Sequence, residues 1–387
     1  MRSVLKGLAG LILLVVVLWL GLWLYAEMRL KQLVSAQIAR INQSGAAQVS
    51  YDKLTGSHNP LVAAVTLVNP VWSASPPGAG GTPGFRLAAA RLGAHVELWH
   101  PFLLHVDLPP RLDFDAQGFM GALTFAMADV TEHLSPGVWV GNVSNPVTGG
   151  EARFAAINLL GLDSTGSLQI AQIDSLAARE DVDAKAGPDK TALALDWQAN
   201  GARLSTLFVK LFNAPYNGEI AHLEMKVALS GPLLPPPPAP PGEEDKALIR
   251  QLHQWALAGG NGRLAVKLTL GPSQIQADGT VKFDAQAQPS GTGDLTADHL
   301  DQLSATLTQA WPFITPWVTN IQARLAPYLS TSPAAGQVLT AHGRYGRDGV
   351  FLNDQRMGDM PPLDWNGLLT PPSATVAPGD GSGAASP

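Results

Sequence analysis

Gly262-Arg263-Leu264-Ala265-Val266-Lys267-Leu268-Thr269-Leu270-Gly271 sets large aliphatic residues at every second position and is bounded by glycine at both ends. Successive side chains of an extended chain point to opposite faces, so this decapeptide reads as a strand with one apolar face. Ala277 to Asp284 continues in the same manner with Val281 and Phe283. The two segments form a strand pair with a short connection, and Asp278-Gly279 is its turn or a bulge. Upstream, from about Gln48 to Leu229, short alternating runs are separated by Gly, Pro, Asn and Asp, the pattern of half-buried strands. Leu123, Phe125 and Met127 share one such face, as do Leu193, Leu195 and Trp197, and Leu223, Met225, Val227 and Leu229. Strands and helices do not alternate regularly, which argues against a doubly wound parallel sheet and for antiparallel sheet.

Helical signals lie mainly in the C-terminal third. Glu243, Glu244 and Asp245 suit a helix start, Leu248, Leu252 and Trp255 line one face, and Gly259-Gly260 supplies the stop. Asp298 is the expected cap of a run carrying Leu300, Leu303, Leu307 and Trp311, with a second run through Val318, Ile321 and Leu325. Pro312 and Pro316 are expected to break these into separate helices. Short strands follow at Val338 to Tyr345 and Gly349 to Leu352. Seven of the ten residues from Pro232 to Pro241 are proline, a segment of about 31 Å if fully extended, read here as a loop between consecutive elements of one sheet. Residues 370–387 are small, polar and rich in Pro and Gly, and are expected to be disordered.

The chain has 387 residues, with 25 Lys and Arg against 31 Asp and Glu, a net charge of −6. That balance argues against nucleic-acid binding, which needs a basic face. Only 14% of residues are charged while 46% are hydrophobic, enough to bury a sizeable core. The absence of cysteine excludes disulfides, thiolate metal sites and cysteine nucleophiles.

Every residue from Gly7 to Ala26 is uncharged, between Lys6 and Glu27. Twenty helical residues span roughly 30 Å, the thickness of the bilayer hydrocarbon. Leu8, Leu11, Leu14 and Val17 lie within this expected anchor, and Trp19, Trp23 and Tyr25 cluster at its distal end, where amphipathic rings favour the headgroup layer. Arg2 and Lys6 precede the span and predict a cytoplasmic N-terminus with the remainder exported. The apolar run is too long for an ordinary signal peptide, and Leu24-Tyr25-Ala26 is a poor cleavage site. Leu30, Leu33, Val34, Gln37, Ile38 and Ile41 continue at helical spacing to Ser44-Gly45, as a helix packed on its own domain rather than a free stalk. Residues 32–387 carry 21 basic against 30 acidic side chains, net −9, so attachment to anionic lipid rests on the helix.

The strand pair at 262–271 and 277–284, Gly291 to Leu295 and the helix after Asp298 resemble the C-terminal half of a bacterial envelope family known as domain of unknown function 2125. Tyr51, Leu54, Gly56, the pair Asn69-Pro70 and Trp72, after an anchor helix with an amphipathic extension, agree with its N-terminal part. The chain reads Gly56-Ser57-His58-Asn59-Pro60 where that family usually has Gly-Phe-Pro. The resemblance covers most of residues 5 to 365. It implies a membrane-anchored protein facing the periplasm of a Gram-negative bacterium, and supplies no catalytic residue.

Signals for chemistry are weak. His95, His100 and His105 are spaced by five, so in one strand successive members face opposite ways and converge on one ion only if the chain bends, for instance at His100-Pro101. Glu180, Asp181 and Asp183 lack the further ligands of a calcium loop. Gly260-Asn261-Gly262 follows a helix and enters a strand, the wrong context for phosphate binding. Eight tryptophans outside the anchor, Trp72, Trp99, Trp139, Trp197, Trp255, Trp311, Trp317 and Trp365, read as core packing or as an apolar groove. No catalytic, metal or cofactor residue is assigned.

The expected architecture is α+β: an N-terminal transmembrane helix, then a long twisted antiparallel sheet partly covered by helices. Its segments are a cytoplasmic start and anchor (1–26), an amphipathic helical extension (27–45), a mainly β periplasmic region (46–231), a Pro-rich loop or linker (232–242), a helix-plus-strand region (243–369) and the tail (370–387). The expected function is that of a non-enzymatic inner-membrane protein with a periplasmic body, which holds a lipid-like hydrophobic ligand or a protein on the apolar face of its sheet. A scaffold recruiting envelope proteins is the alternative, and an envelope hydrolase the remotest. The expected partners are the lipid bilayer, through the N-terminal helix, and that ligand or envelope protein; no cofactor is expected.

Overall fold

The computed structural model describes residues 2–44, 47–74, 84–141, 146–163, 166–183, 185–232 and 244–369. The Pro-rich segment and the tail therefore lie almost wholly outside the described residues. Helix α1 (Arg2–Ser44) leads into ten short strands: β1 (Ala47–Ser50), β2 (Lys53–Gly56), β3 (Val62–Val68), β4 (Val71–Ala74), β5 (Phe85–Ala88), β6 (Arg91–Glu97), β7 (Leu103–Asp107), β8 (Arg111–Ala116), β9 (Phe119–Thr124) and β10 (Met127–Leu134). Four long strands follow, β11 (Val147–Asp163), β12 (Gly166–Val182), β13 (Thr191–Leu204) and β14 (Glu219–Ser230), with α2 (Thr206–Phe212) before the last. Then come α3 (Glu244–Leu257), β15 (Asn261–Leu270), β16 (Ser273–Phe283), β17 (Pro289–Ala297), α4 (Leu300–Ala310) and α5 (Thr315–Leu325). The described residues end with β18 (Leu329–Ser332), β19 (Gly336–Gly346), β20 (Gly349–Leu352), β21 (Gln355–Gly358) and α6 (Trp365–Leu369).

All twenty-one described strands join one antiparallel sheet. Strands β11 to β17 pair in chain order and β17 then pairs with β19, which carries β18 and β20. On its other side β11 pairs with β10 along one stretch and with β9 along another, so the sheet forks. One branch runs β10, β7, β6, β3, β2 and the other β9, β8, β5, β4, β1. Strands β14 and β15 pair directly although the Pro-rich segment and α3 separate them in sequence.

Three local expectations are corrected. The turn between β15 and β16 is at Gly271-Pro272, and Asp278-Gly279 is neither turn nor bulge: it pairs in unbroken register with Ala265 and Leu264. Asp-Gly matches turn chemistry, but pairing along the whole strand overrides that local preference. The cap of α4 is His299, in the left-handed region at φ 49, while Asp298 Oδ1 accepts the Gln274 amide at 2.6 Å. Pro312 does end α4, whereas Pro316 sits in the first turn of α5, where its missing N–H costs no helical bond.

The four packed clusters of buried residues lie at the two ends of one sheet face. At one end α1 lies on β3 and β6: Ala26 packs with Ala63 and Leu98, and Leu33 joins Val96, Leu134 and Val138. Side-chain bonds clamp it there. Trp19 Nε1 donates to the Pro60 carbonyl at 2.8 Å, Trp23 Nε1 to that of Val62 at 3.2 Å, and Arg29 Nη2 to those of both Val138 and Gly141 at 2.8 Å. Tyr25 Oη donates to the Trp139 carbonyl. The second half of α1 is thus packed on its own domain. At the other end α3 and α6 bury Ala256, Ala287 and Trp365 against Phe283, and α4 and α5 cover Ala297, Leu339 and Ala341.

Leu30 is 1% exposed on the packed side of α1, and Met28 is exposed. Leu30→Ala is expected to lower unfolding free energy by about 2–5 kcal/mol in denaturant titrations of the full chain in detergent. Met28→Ala should cost well under that.

Candidate functional site

Between the covered ends the sheet keeps its two faces distinct. Cross-strand partners share a face, which places Leu195, Val227 and Leu264 in one row and Trp197, Met225 and Val266 in the next. The opposite face is charged. There Lys226 Nζ lies 2.5 Å from Glu224 and 3.6 Å from Asp196, Lys267 lies 3.4 Å from Glu224, Arg179 lies 2.9 Å from Asp181, and Arg263 lies 2.8 Å from Asp278. The Lys226 bond, foremost, holds the Glu224 carboxyl below its usual range. Such exposed pairs add little stability singly; they mark this face as the wetted one.

On the apolar face a cleft of about 720 Å³ opens over β14 to β20, lined by Val227, Leu229, Leu264, Val281, Tyr345 and Leu352 among others. Its floor is a row of register partners, Gly279, Gly293 and Gly343. None has positive φ. A Cβ placed on them would meet its nearest atom at 3.7, 3.6 and 3.5 Å, ordinary contact distances. At neighbouring Gly291, by contrast, a Cβ would fall 2.0 Å from the Thr280 carbonyl oxygen, so there the backbone demands glycine. The three floor glycines are required neither by backbone conformation nor by close packing. Glycine inside a strand costs about 0.5–1 kcal/mol relative to alanine, and is found where something must approach the backbone closely. What the row produces is a trough one side chain deep in an apolar surface.

The chemistry available there is that of apolar contact. A cleft of several hundred Å³ lined by aliphatic side chains accepts hydrocarbon. Tyr345 is its one polar side chain on this face; burial pushes its phenol up, and it stays neutral.

The chain matches, over residues 23–341, a family described as uncharacterized protein conserved in bacteria (DUF2125). It belongs to that family. No curated protein matches it. The matched part of this DUF2125 chain runs from Trp23, on the clamped part of α1, into β19.

The residues singled out in the sequence are distributed differently from the cleft. Side chains of Leu8 and Leu11 lie outside the described ones, Leu14 and Val17 are exposed, and Trp19, Trp23 and Tyr25 bond to the β-body. Among the described residues no helix is long and apolar enough to cross a membrane; residues 7–13 of the expected span have no described side chains. The eight other tryptophans do not line the cleft. Trp255 and Trp365 pack around Phe283, Trp139 packs under α1, Trp72 meets Phe85 edge-on at 5.6 Å, and Trp311 donates to the Phe212 carbonyl. Trp197 lies on the apolar face, outside the cleft, while Trp99 and Trp317 are exposed.

The chain does bend near His100-Pro101, yet only two of the three histidines meet. Residues 98–102 turn the chain between β6 and β7, so His95 and His105 become cross-strand partners with rings stacked at 4.9 Å, and His95 Nδ1 meets Asp107 at 2.8 Å. His100 remains apart, near Glu97. Among the described residues no cluster able to hold a metal ion occurs.

Charged side chains intrude on the apolar face at two places: near the α2 end of β13 and β14, where register sets Arg203 opposite Glu219 and Arg203 Nη2 lies 2.6 Å from Asp174, and beside β10. Register sets Glu132 opposite Gly150, which in turn faces Glu180. Burial, and then the Glu180 charge, push Glu132 above the usual carboxylate range. A raised pKa in the folded state means that stability is full below the unfolded-state value, where the group is protonated, and is lost as pH rises through the folded one. Glu132→Gln is therefore expected to unfold at higher temperature than the parent at pH 8, with the gap closing by pH 4; an equal gap at both pH values would contradict this.

Proposed function

We propose that this protein is anchored in the bacterial inner membrane by α1 and that its periplasmic β-body binds an acyl chain or similar hydrocarbon in the glycine-floored cleft, without catalysing a reaction. The observation that carries the reading is the trough at Gly279, Gly293 and Gly343: open space on an apolar surface kept at the expense of strand stability. The anchor has separate support. Leu14 to Leu18 are five consecutive exposed residues, more than one helical turn, so among described residues nothing covers α1 there on any side. An apolar helix bare all round calls for an apolar solvent.

The test uses the full chain, purified from bacterial membranes and washed in detergent, with retained lipid quantified per protein by mass spectrometry. The parent should retain lipid near one equivalent. Gly279→Leu/Gly293→Leu fills the trough and should retain at least tenfold less, with a melting temperature equal to the parent's or higher. Lys267→Ala, on the charged face, should retain as much as the parent. Equal lipid in the Leu variant, or none in the parent, overturns the reading.

A scaffold is the second reading, favoured by α5 and the 3-10 turn Pro312–Ile314 that precedes it. Phe313, Trp317 and Ile321 recur at intervals of four and are exposed, Trp317 at 75%. Photo-crosslinking from position 317 in native membranes should capture one reproducible protein if this stripe recruits a partner, and should give no discrete adduct otherwise.

A further inference from the structure

The expected span and the β-body overlap along α1. The uncharged run ends at Ala26, yet the body touches the helix from Trp19 onward, where the indole N–H reaches the Pro60 carbonyl at 2.8 Å. Trp19 to Ala26 covers about 12 Å of helix axis, and Gly7 to Leu18 supplies only about 18 Å. A bilayer's hydrocarbon is about 30 Å thick. If the body stood wholly in water, the helix would fall roughly 12 Å short of crossing.

The loops that flank the packed side of α1 at this level have the composition to make up the difference. They are the turn at Asn59 to Leu61, the β6–β7 connection at Leu98 to Phe102, and the 3-10 turn at Pro136–Trp139 with Val140 after it. They are joined to one another: the Leu98 amide donates to the Leu61 carbonyl, and Trp139 Nε1 donates to the Pro101 carbonyl at 2.8 Å. Each carries bare apolar side chains, Leu61, Trp99, Phe102 and Val140, the last 89% exposed. Val140 follows two residues after fully buried Val138, so this short turn fixes one valine inside and presents the other outward. The charged groups among these loops are already engaged. Glu97 accepts from Trp99 Nε1 at 2.8 Å and meets His100 Nδ1 at 3.3 Å.

We propose that these three loops form a collar immersed in the membrane interface, with Leu61, Trp99, Phe102 and Val140 entering the boundary between headgroups and acyl chains on the periplasmic side. This rests on the anchor reading above and deepens it. The occupant is the bilayer that α1 crosses, because the loops flank the very part of the helix whose apolar length the crossing requires, and Leu20, Leu22 and Leu24 on its other side are bare. Depth of about 5–10 Å is usual for apolar residues that lie in an interface.

The absence of cysteine makes single-site spin labelling of the full chain direct. Val16→Cys, Phe102→Cys, Val140→Cys and Lys267→Cys are labelled in vesicles of phosphatidylethanolamine and phosphatidylglycerol, and collision rates with oxygen and with a water-soluble nickel complex are compared. Labels at 102 and 140 should show at least fivefold lower nickel accessibility than the aqueous reference at 267. Nickel accessibility at 102 and 140 equal to that at 267 overturns the collar. In that event a bilayer signal at position 16 leaves the anchor standing, and water exposure at 16 removes both.

Discussion

A pleated strand offers only alternate residues to each face, and that constraint organises the molecule. From Leu195 and Trp197 of β13 across to β17 the register keeps apolar side chains in rows on one side and ion pairs on the other. A slip by one residue would place Lys226 and Lys267 on the apolar face and Val227 and Val266 in water. The register is thereby strongly specified, even where strands as long as seventeen residues have no described helix above them.

The same constraint creates a surplus. A sheet this wide produces more apolar surface than the described helices cover, and those helices are placed at its ends: α1 at the forked end, α3 to α6 at the other. The exposed middle carries Trp197, Leu223 and Leu264. Monomeric soluble proteins rarely leave large contiguous apolar patches bare. The glycine row deepens that surface where ordinary strand residues would fill it. Open surface and deepened floor are the two features on which the proposed hydrocarbon occupant rests.

Much of this was legible in the sequence, because alternation is local. Leu264 to Leu270 and Leu223 to Leu229 state their faces without help from the rest of the chain, and α3 announces itself through Leu248, Leu252, Trp255 and the following glycines. What was not legible depends on partners distant in sequence. Gly279, Gly293 and Gly343 become a floor only when three strands align them; singly, Asp278-Gly279 imitates a turn. The available signal was that each sits at a position where strand alternation calls for an apolar residue. His95 and His105 stack because a hairpin folds between them, which spacing alone does not reveal. Asp298 has the chemistry of a cap, but its carboxylate is taken by the Gln274 amide across the sheet end.

The central claim is that one face of the sheet is a hydrocarbon-binding surface and the other is wetted. Leu264 and Ala265 are adjacent in sequence and occupy opposite faces of β15. A photo-crosslinking amino acid introduced at each in turn, irradiated in living cells and analysed by mass spectrometry, compares the two faces at one point in the fold. The account predicts lipid adducts from position 264 and none from 265. Equal adducts at both positions, or adducts at 265 alone, would contradict it.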